Sequence, residues 1–238
     1  MVHRNDASRQ CGALRTLAHG AEPRSCPYAE SVTVRIGALL WIVAALGYFL
    51  AEAIAAAALP GYCYATDYVS TLGQPARSPH ADLMNVAFFA QGVLFPVGAI
   101  LVVRGARARN ALVFLCFAIV NGTGNILVAT VHSGVGARLH VVGAALAIVG
   151  GNAAILAGVA GLRQLEPSRM HRVVSVVLGT VGLACLIGTA LELPAVGSWE
   201  RGSVYTIFIW QAYTASYLLS RPHARGRVGA ESKGEEKG

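Results

Sequence analysis

The chain has 238 residues, 55% of them hydrophobic and only 13% charged, with a mean hydropathy of +0.54. Soluble domains carry about 25% charged residues. Half that share cannot cover a water-facing surface, which excludes an ordinary cytosolic enzyme, a disordered chain and a nucleic-acid-binding domain.

Six stretches reach the roughly 20 apolar residues that a helix needs to cross about 30 Å of hydrocarbon: 36–57, 81–103, 110–131, 139–161, 173–192 and 202–220. None shows the ten-residue alternation of a membrane barrel strand. The expected fold is therefore all-α, a polytopic membrane bundle of six transmembrane helices over 32–220. The polar segments 1–31 and 221–238 read as disordered tails. The first stretch is longer than the apolar core of a signal peptide, so it reads as a retained span.

Pro60-Gly61 ends the first span. Ser78-Pro79 looks like the start of the second, with a capping hydroxyl and a proline in the first turn. Pro96 lies inside the second span and predicts a kink, whose freed carbonyl a neighbouring helix must satisfy. Small residues at four-residue spacing on the fourth span (Ala147/Gly151, Ala154/Gly158, Ala157/Gly161), with Gly179, Gly182 and Gly188 on the fifth, predict close helix packing.

Basic residues near span ends stay in the cytoplasm. With the N-terminus inside, inner segments hold 16 Lys and Arg, and outer loops hold only Arg77, Arg138 and Arg201. Both termini are thus expected in the cytoplasm. The net charge of +7 is explained by anionic inner-leaflet lipid rather than by nucleic acid. The expected location is a bacterial plasma membrane, crossed several times, with membrane lipid as the partner and any protein partner unknown. Cys63 is the single cysteine on the outer side, so no disulfide framework is expected there.

Ionisable residues gather toward the outer ends of the spans. Glu52 lies in the outer third of the first. Asp67 and Ser70 lie in the long loop that follows, which also carries Tyr62, Tyr64 and Tyr68. Glu200 and Arg201 precede the sixth span. On the third span, Asn121, Asn125 and His132 fall within about 40° of one helical face. That face suits either interhelical hydrogen bonds or one wall of a polar cavity. The candidate pocket therefore comprises Glu52, Asp67, Ser70, Asn125, His132, Glu200 and Arg201. Glu52 is expected either to pair with Arg201 or with a histidine, or to serve as a functional carboxylate. His80, Asp82, His132 and His140 are weak metal candidates from separate segments without a ligand spacing, so no metal or other cofactor is expected.

Two loop segments carry a resemblance. Val69-Ser70-Thr71-Leu72-Gly73 follows the first span, and Gly197-Ser198-Trp199-Glu200-Arg201 precedes the sixth. Together they resemble the Ile/Val-Ser-acidic-Leu-Gly and Gly-x-x-Glu-Arg segments of a bacterial six-helix membrane family, domain of unknown function 998. More distantly the chain is similar to the Frag1/DRAM group. The resemblance covers roughly residues 36–220 and implies the six-helix fold and a membrane location, with no established reaction. Thr71 stands where the family pattern has an acidic residue, so no carboxylate role carries over to that position. Three functions follow: a non-enzymatic membrane protein whose outward polar pocket contacts lipid headgroups or a partner; a lipid hydrolase or transferase using the outer carboxylates and histidines; and a small proton-coupled transporter.

Overall fold

A computed structural model describes residues 27–134 and 136–220, with side chains from residue 32 onward. The disordered tails expected at 1–31 and 221–238 lie outside these residues, except that 27–31 are helical. Among the described residues six long helices follow one another: α1 Pro27–Ala58, α2 Ala81–Gly105, α3 Leu112–Thr130, α4 Ala137–Gly161, α5 Arg169–Ala190 and α6 Val196–Ser220. Short 3-10 turns at Val69–Gly73 and Arg163–Leu165 lie in the first and fourth connections. Five of the six helices, all but α6, are long and apolar enough to cross a membrane. The sixth has 25 residues but carries Glu200, Arg201, Ser203, Thr206, Gln211 and Thr214, all buried inside the bundle. Its polarity is turned inward, so apolarity alone undercounts it.

Consecutive helices pack on each other, α6 returns against α1, and α6 also meets α4. The result is a ring of helices with one arginine-rich end (Arg104, Arg107, Arg109, Arg163, Arg169, Arg172) and one arginine-poor end, where the 59–80 connection lies. Leucines and valines on the outside of the ring are exposed, Leu46, Leu50, Val86 and Val141 among them. That is the expected surface for a bundle solvated by lipid tails rather than by water.

Glycines set the spacing, because helices in lipid associate through close backbone approach. A Cβ on Gly124 of α3 would lie 2.2 Å from the Ala147 backbone N and 2.6 Å from the Gly143 carbonyl of α4. Gly151 and Gly158 meet Ile207 and Trp210 of α6, and Gly179 and Gly182 of α5 meet Leu156 and Asn152 of α4. The stripes expected on the fourth and fifth spans therefore face neighbouring helices. The tightest approach to a neighbour's backbone, Gly124 against α4, lies on α3, where no stripe was expected.

Pro96 stays inside α2. It deprives the Gly92 carbonyl of its helical donor, and Gly122 of α3 approaches that carbonyl so closely that a Cβ there would lie 2.5 Å away. One helix start differs from expectation. The residue flanking α2 is His80, with no side-chain cap, and Ser78 is buried with its hydroxyl unpaired among the described residues. The chain makes a turn at Ser78–Ala81 before the helix begins, so the hydroxyl faces inward and caps nothing.

The core has two halves. Toward the arginine-rich end, Trp41, Phe95, Phe114 and Trp210 form an aromatic plug, with Trp41 and Trp210 ring centroids 5.5 Å apart. Their polar edges are satisfied: Trp41 donates to the Phe95 carbonyl at 3.0 Å and Trp210 to Ser175 Oγ at 2.9 Å. Toward the arginine-poor end, Tyr48 stacks on Phe208 at 4.0 Å beneath Val69 and Leu72 of the first connection.

Candidate functional site

The 59–80 connection is fastened across the arginine-poor mouth of the ring. Its Val69–Gly73 turn buries Val69, Thr71 and Leu72. Glu200 of α6 accepts the Val69 N–H. Asn85 of α2 donates to the Gly73 carbonyl at 2.9 Å, and Gln74 donates to Ser133 in the α3–α4 connection. The loop is thus a roof tied to three parts of the bundle.

Arg201, 5% exposed, is the main fastener. Its Nε donates to Glu52 Oε1 at 3.0 Å, in an ion pair between α6 and α1. Its Nη1 donates to the carbonyls of Tyr64 (2.6 Å), Asp67 (2.9 Å) and Gly197 (3.1 Å), and its Nη2 donates to the Tyr62 hydroxyl. The guanidinium also lies over the Tyr64 ring, 4.6 Å from its centroid. Tyr205 donates to the same Glu52 oxygen at 2.9 Å. A planar fork with five donors is the side chain suited to such a junction. Arg201 thereby joins the first helix, the last helix and the loop. Burial pushes the Tyr62 phenol above the ordinary tyrosine value, and the adjacent guanidinium only partly opposes this.

Beneath the roof lies a cavity of about 40 Å³, lined by five of the six helices and by the loop, with α5 outside it. Tyr48, Phe88 and Phe208 supply aromatic walls, and Val69 and Ser70 the ceiling. Gln91 of α2, Asn121 and Asn125 of α3, His140 of α4 and Glu200 of α6 supply polar groups. Several are unsatisfied. Among the described residues, the Tyr48 hydroxyl, both ends of the Gln91 amide and Asn121 Oδ1 are buried without a hydrogen-bond partner. Buried polar groups are overwhelmingly paired in native proteins, so three such side chains around one space are exceptional. Asn121 spends its amide N–H on the Ala147 carbonyl (2.6 Å), and Asn125 donates back to the Asn121 carbonyl (3.0 Å).

The expected pocket residues thus divide. Ser70, Asn125 and Glu200 line the cavity. Glu52 and Arg201 form the clasp beside it. The Asp67 carboxylate accepts the Cys63 N–H at 2.8 Å and so closes a turn within the loop. His132 lies beyond the end of α3 and is half-buried, away from the cavity. The polar face of α3 ends with the helix at Thr130, and the imidazole at the cavity belongs to His140, whose Nδ1 bonds the Val131 carbonyl at 2.7 Å. Among the described residues no three His, Cys, Asp or Glu side chains are grouped to hold a metal ion, so His80, Asp82, His132 and His140 do not assemble. Tyr48 escaped the sequence reading because an aromatic in an apolar run looks like core. Gln91 and Asn121 are polar residues deep within apolar spans of the sequence, without a sign there that they line one cavity.

Fold and site define a polytopic helical membrane protein with a roofed polar cavity at one end of the bundle. The chain belongs to the family described as Protein of unknown function (DUF998), whose model matches residues 42–217, a span that includes both the clasp and the cavity. No curated protein and no solved structure matches the chain.

Proposed function

We propose that this protein is a binding protein of the membrane, which receives the polar part of a lipid in the roofed cavity at its outer face and performs no chemistry on it. One observation carries the reading: Tyr48, Gln91 and Asn121 hold hydrogen-bonding atoms unpaired around one partly apolar space. An orphaned buried polar group costs about 1–3 kcal/mol, and a ligand that pairs with it recovers that cost. The aromatic plug under the cavity favours binding over conduction, because it fills the bundle axis between the two ends. In this reading the termini are cytoplasmic, the roof faces outward, and Glu52–Arg201 is a structural clasp rather than a catalytic pair.

The test is native mass spectrometry of the full chain extracted in mild detergent. Wild type is expected to retain lipid, and a Tyr48→Phe, Gln91→Leu variant to lose it. A wild-type protein that carries no lipid and takes up none from added vesicles would end the proposal. A second reading, a lipid hydrolase or transferase, draws on Ser70, His140 and Glu200 lining the same cavity. Turnover of a short-chain phospholipid that disappears in Ser70→Ala would establish it in place of the first.

A further inference from the structure

The balance of hydrogen-bonding groups around the cavity specifies what it receives. His140 Nδ1 bonds a backbone carbonyl, which can only accept, so Nδ1 carries the proton. In the neutral ring Nε2 is then an acceptor. Asn121 Oδ1 and Gln91 Oε1 are acceptors without a donor. Glu200 uses Oε2 for the Val69 N–H. Of the buried unpaired atoms on residues that line the cavity, only Gln91 Nε2 and the Tyr48 hydroxyl can donate. Acceptors therefore predominate, and the complementary ligand must bring several N–H or O–H donors.

Charge narrows the class. The buried carboxylates and guanidinium at this end are Glu52, Glu200 and Arg201. Arg201 is turned to Glu52 at 3.0 Å, which leaves that pair neutral. Glu200 makes no salt bridge among the described residues. A cation would compensate the Glu200 carboxylate beside this low-dielectric cavity, whose walls include the aromatic rings of Tyr48, Phe88 and Phe208. Size sets the last limit. At about 40 Å³ the cavity is small and favours a compact polar group. A primary ammonium on a two-carbon stem fits. A quaternary trimethylammonium is too bulky and has no N–H to give.

Resting on the proposed binding role, we propose that the cavity is a site for a primary ammonium group, brought by an aminophospholipid head or by a small free amine. Ser70 and Glu200 close the site from above, while Gln91, Asn121 and His140 accept the N–H donors.

The experiment is calorimetric titration of the full chain in dodecyl maltoside with ethanolamine, choline and glycerol, followed by unfolding midpoints in nanodiscs with phosphatidylethanolamine or with phosphatidylglycerol alone. Ethanolamine is expected to bind at least tenfold tighter than choline or glycerol. Glu200→Gln, which keeps an acceptor for Val69 and removes the charge, is expected to weaken ethanolamine at least tenfold. Gln91→Met, which preserves volume, is expected to weaken it severalfold and decides the matter alone if Glu200→Gln does not fold. Binding of free ethanolamine identifies a soluble amine as sufficient. Stabilisation by phosphatidylethanolamine discs without free-amine binding identifies the lipid as the source. Both results support the site. Glycerol or phosphatidylglycerol binding as well as the amines, or ethanolamine affinity unchanged in the variants, overturns the ammonium class and leaves the binding role standing. Failure of every probe and every lipid removes both.

Discussion

Replacing Arg201 with methionine isolates the role of the clasp. Methionine nearly matches the length of the arginine stem, so packing is largely kept while every donor is lost. The Glu52 carboxyl, 2% exposed, then keeps only the Tyr205 hydroxyl. Removing one partner of a buried ion pair costs about 3–5 kcal/mol, because the other charge is left uncompensated. The Tyr64 and Asp67 carbonyls also lose their donor, but they lie in the loop at the mouth, where water can replace it. The carboxylate therefore dominates. Glu52→Gln keeps an oxygen that accepts from Arg201 and Tyr205 but strands the buried guanidinium, so it should cost a comparable amount, about 3–5 kcal/mol. The double variant removes the stranded charge, so the two losses should not add, and the coupling should be about 2–3 kcal/mol. The assay is unfolding of the purified protein by sodium dodecyl sulfate in mixed micelles, followed by tryptophan fluorescence. Amide hydrogen exchange at 62–74 should rise in parallel as the roof loosens. A coupling below about 0.5 kcal/mol, the usual additivity error, would refute the clasp.

Three further outcomes follow from local geometry. Gly124→Ala should separate α3 from α4 and cost at least the 1–3 kcal/mol typical of overpacking, whereas Gly47→Ala, where a Cβ meets nothing within 4 Å, should be neutral or stabilising by about 0.5–1 kcal/mol; the same micelle titration measures both. Tyr62 has its pKa raised by burial, so its contribution to stability is full below the unfolded value of about 10 and is lost as pH climbs through the higher folded value; Tyr62→Phe should flatten the alkaline loss of stability, and identical slopes for both proteins would contradict the assignment. Cys63 is exposed, and the Thr66 hydroxyl followed by the Ala65 and Thr66 backbone amides lowers its pKa; a membrane-impermeant maleimide added to intact cells should label it faster than Cys116 or Cys185, and an unlabelled Cys63 would reverse the proposed sidedness.

The helices were legible because lipid imposes a simple rule, about twenty apolar residues per crossing, and five of them follow it. The sixth was legible only by its place in the count, since its buried polar groups lower its apolarity. The Glu52–Arg201 pair was within reach for the same reason: charges that shallow in a bundle need partners, and few candidates share that end. The cavity was not legible. Whether Asn121, Gln91 and Tyr48 meet each other or separate partners depends on how far each helix is rotated. That rotation is set by glycine contacts such as Gly124 on Ala147, which a one-dimensional pattern does not order. His132 illustrates the error this produces: a periodicity extended past the end of α3 at Thr130 assigned an imidazole to a face that no longer existed.

The clasp also dictates an order of events during synthesis. Glu52 and Arg201 are 149 positions apart, so at roughly 5–20 residues per second the acid of the first helix waits on the order of 7–30 s for its counter-ion to be made. Until then the ring is open and the loop lacks its fastening to α6. Nascent chains halted before residue 196 should therefore be cleared by membrane proteases, and chains halted after α6 has emerged should persist. The first helix commits the chain to the bilayer, and the last one decides whether it survives there.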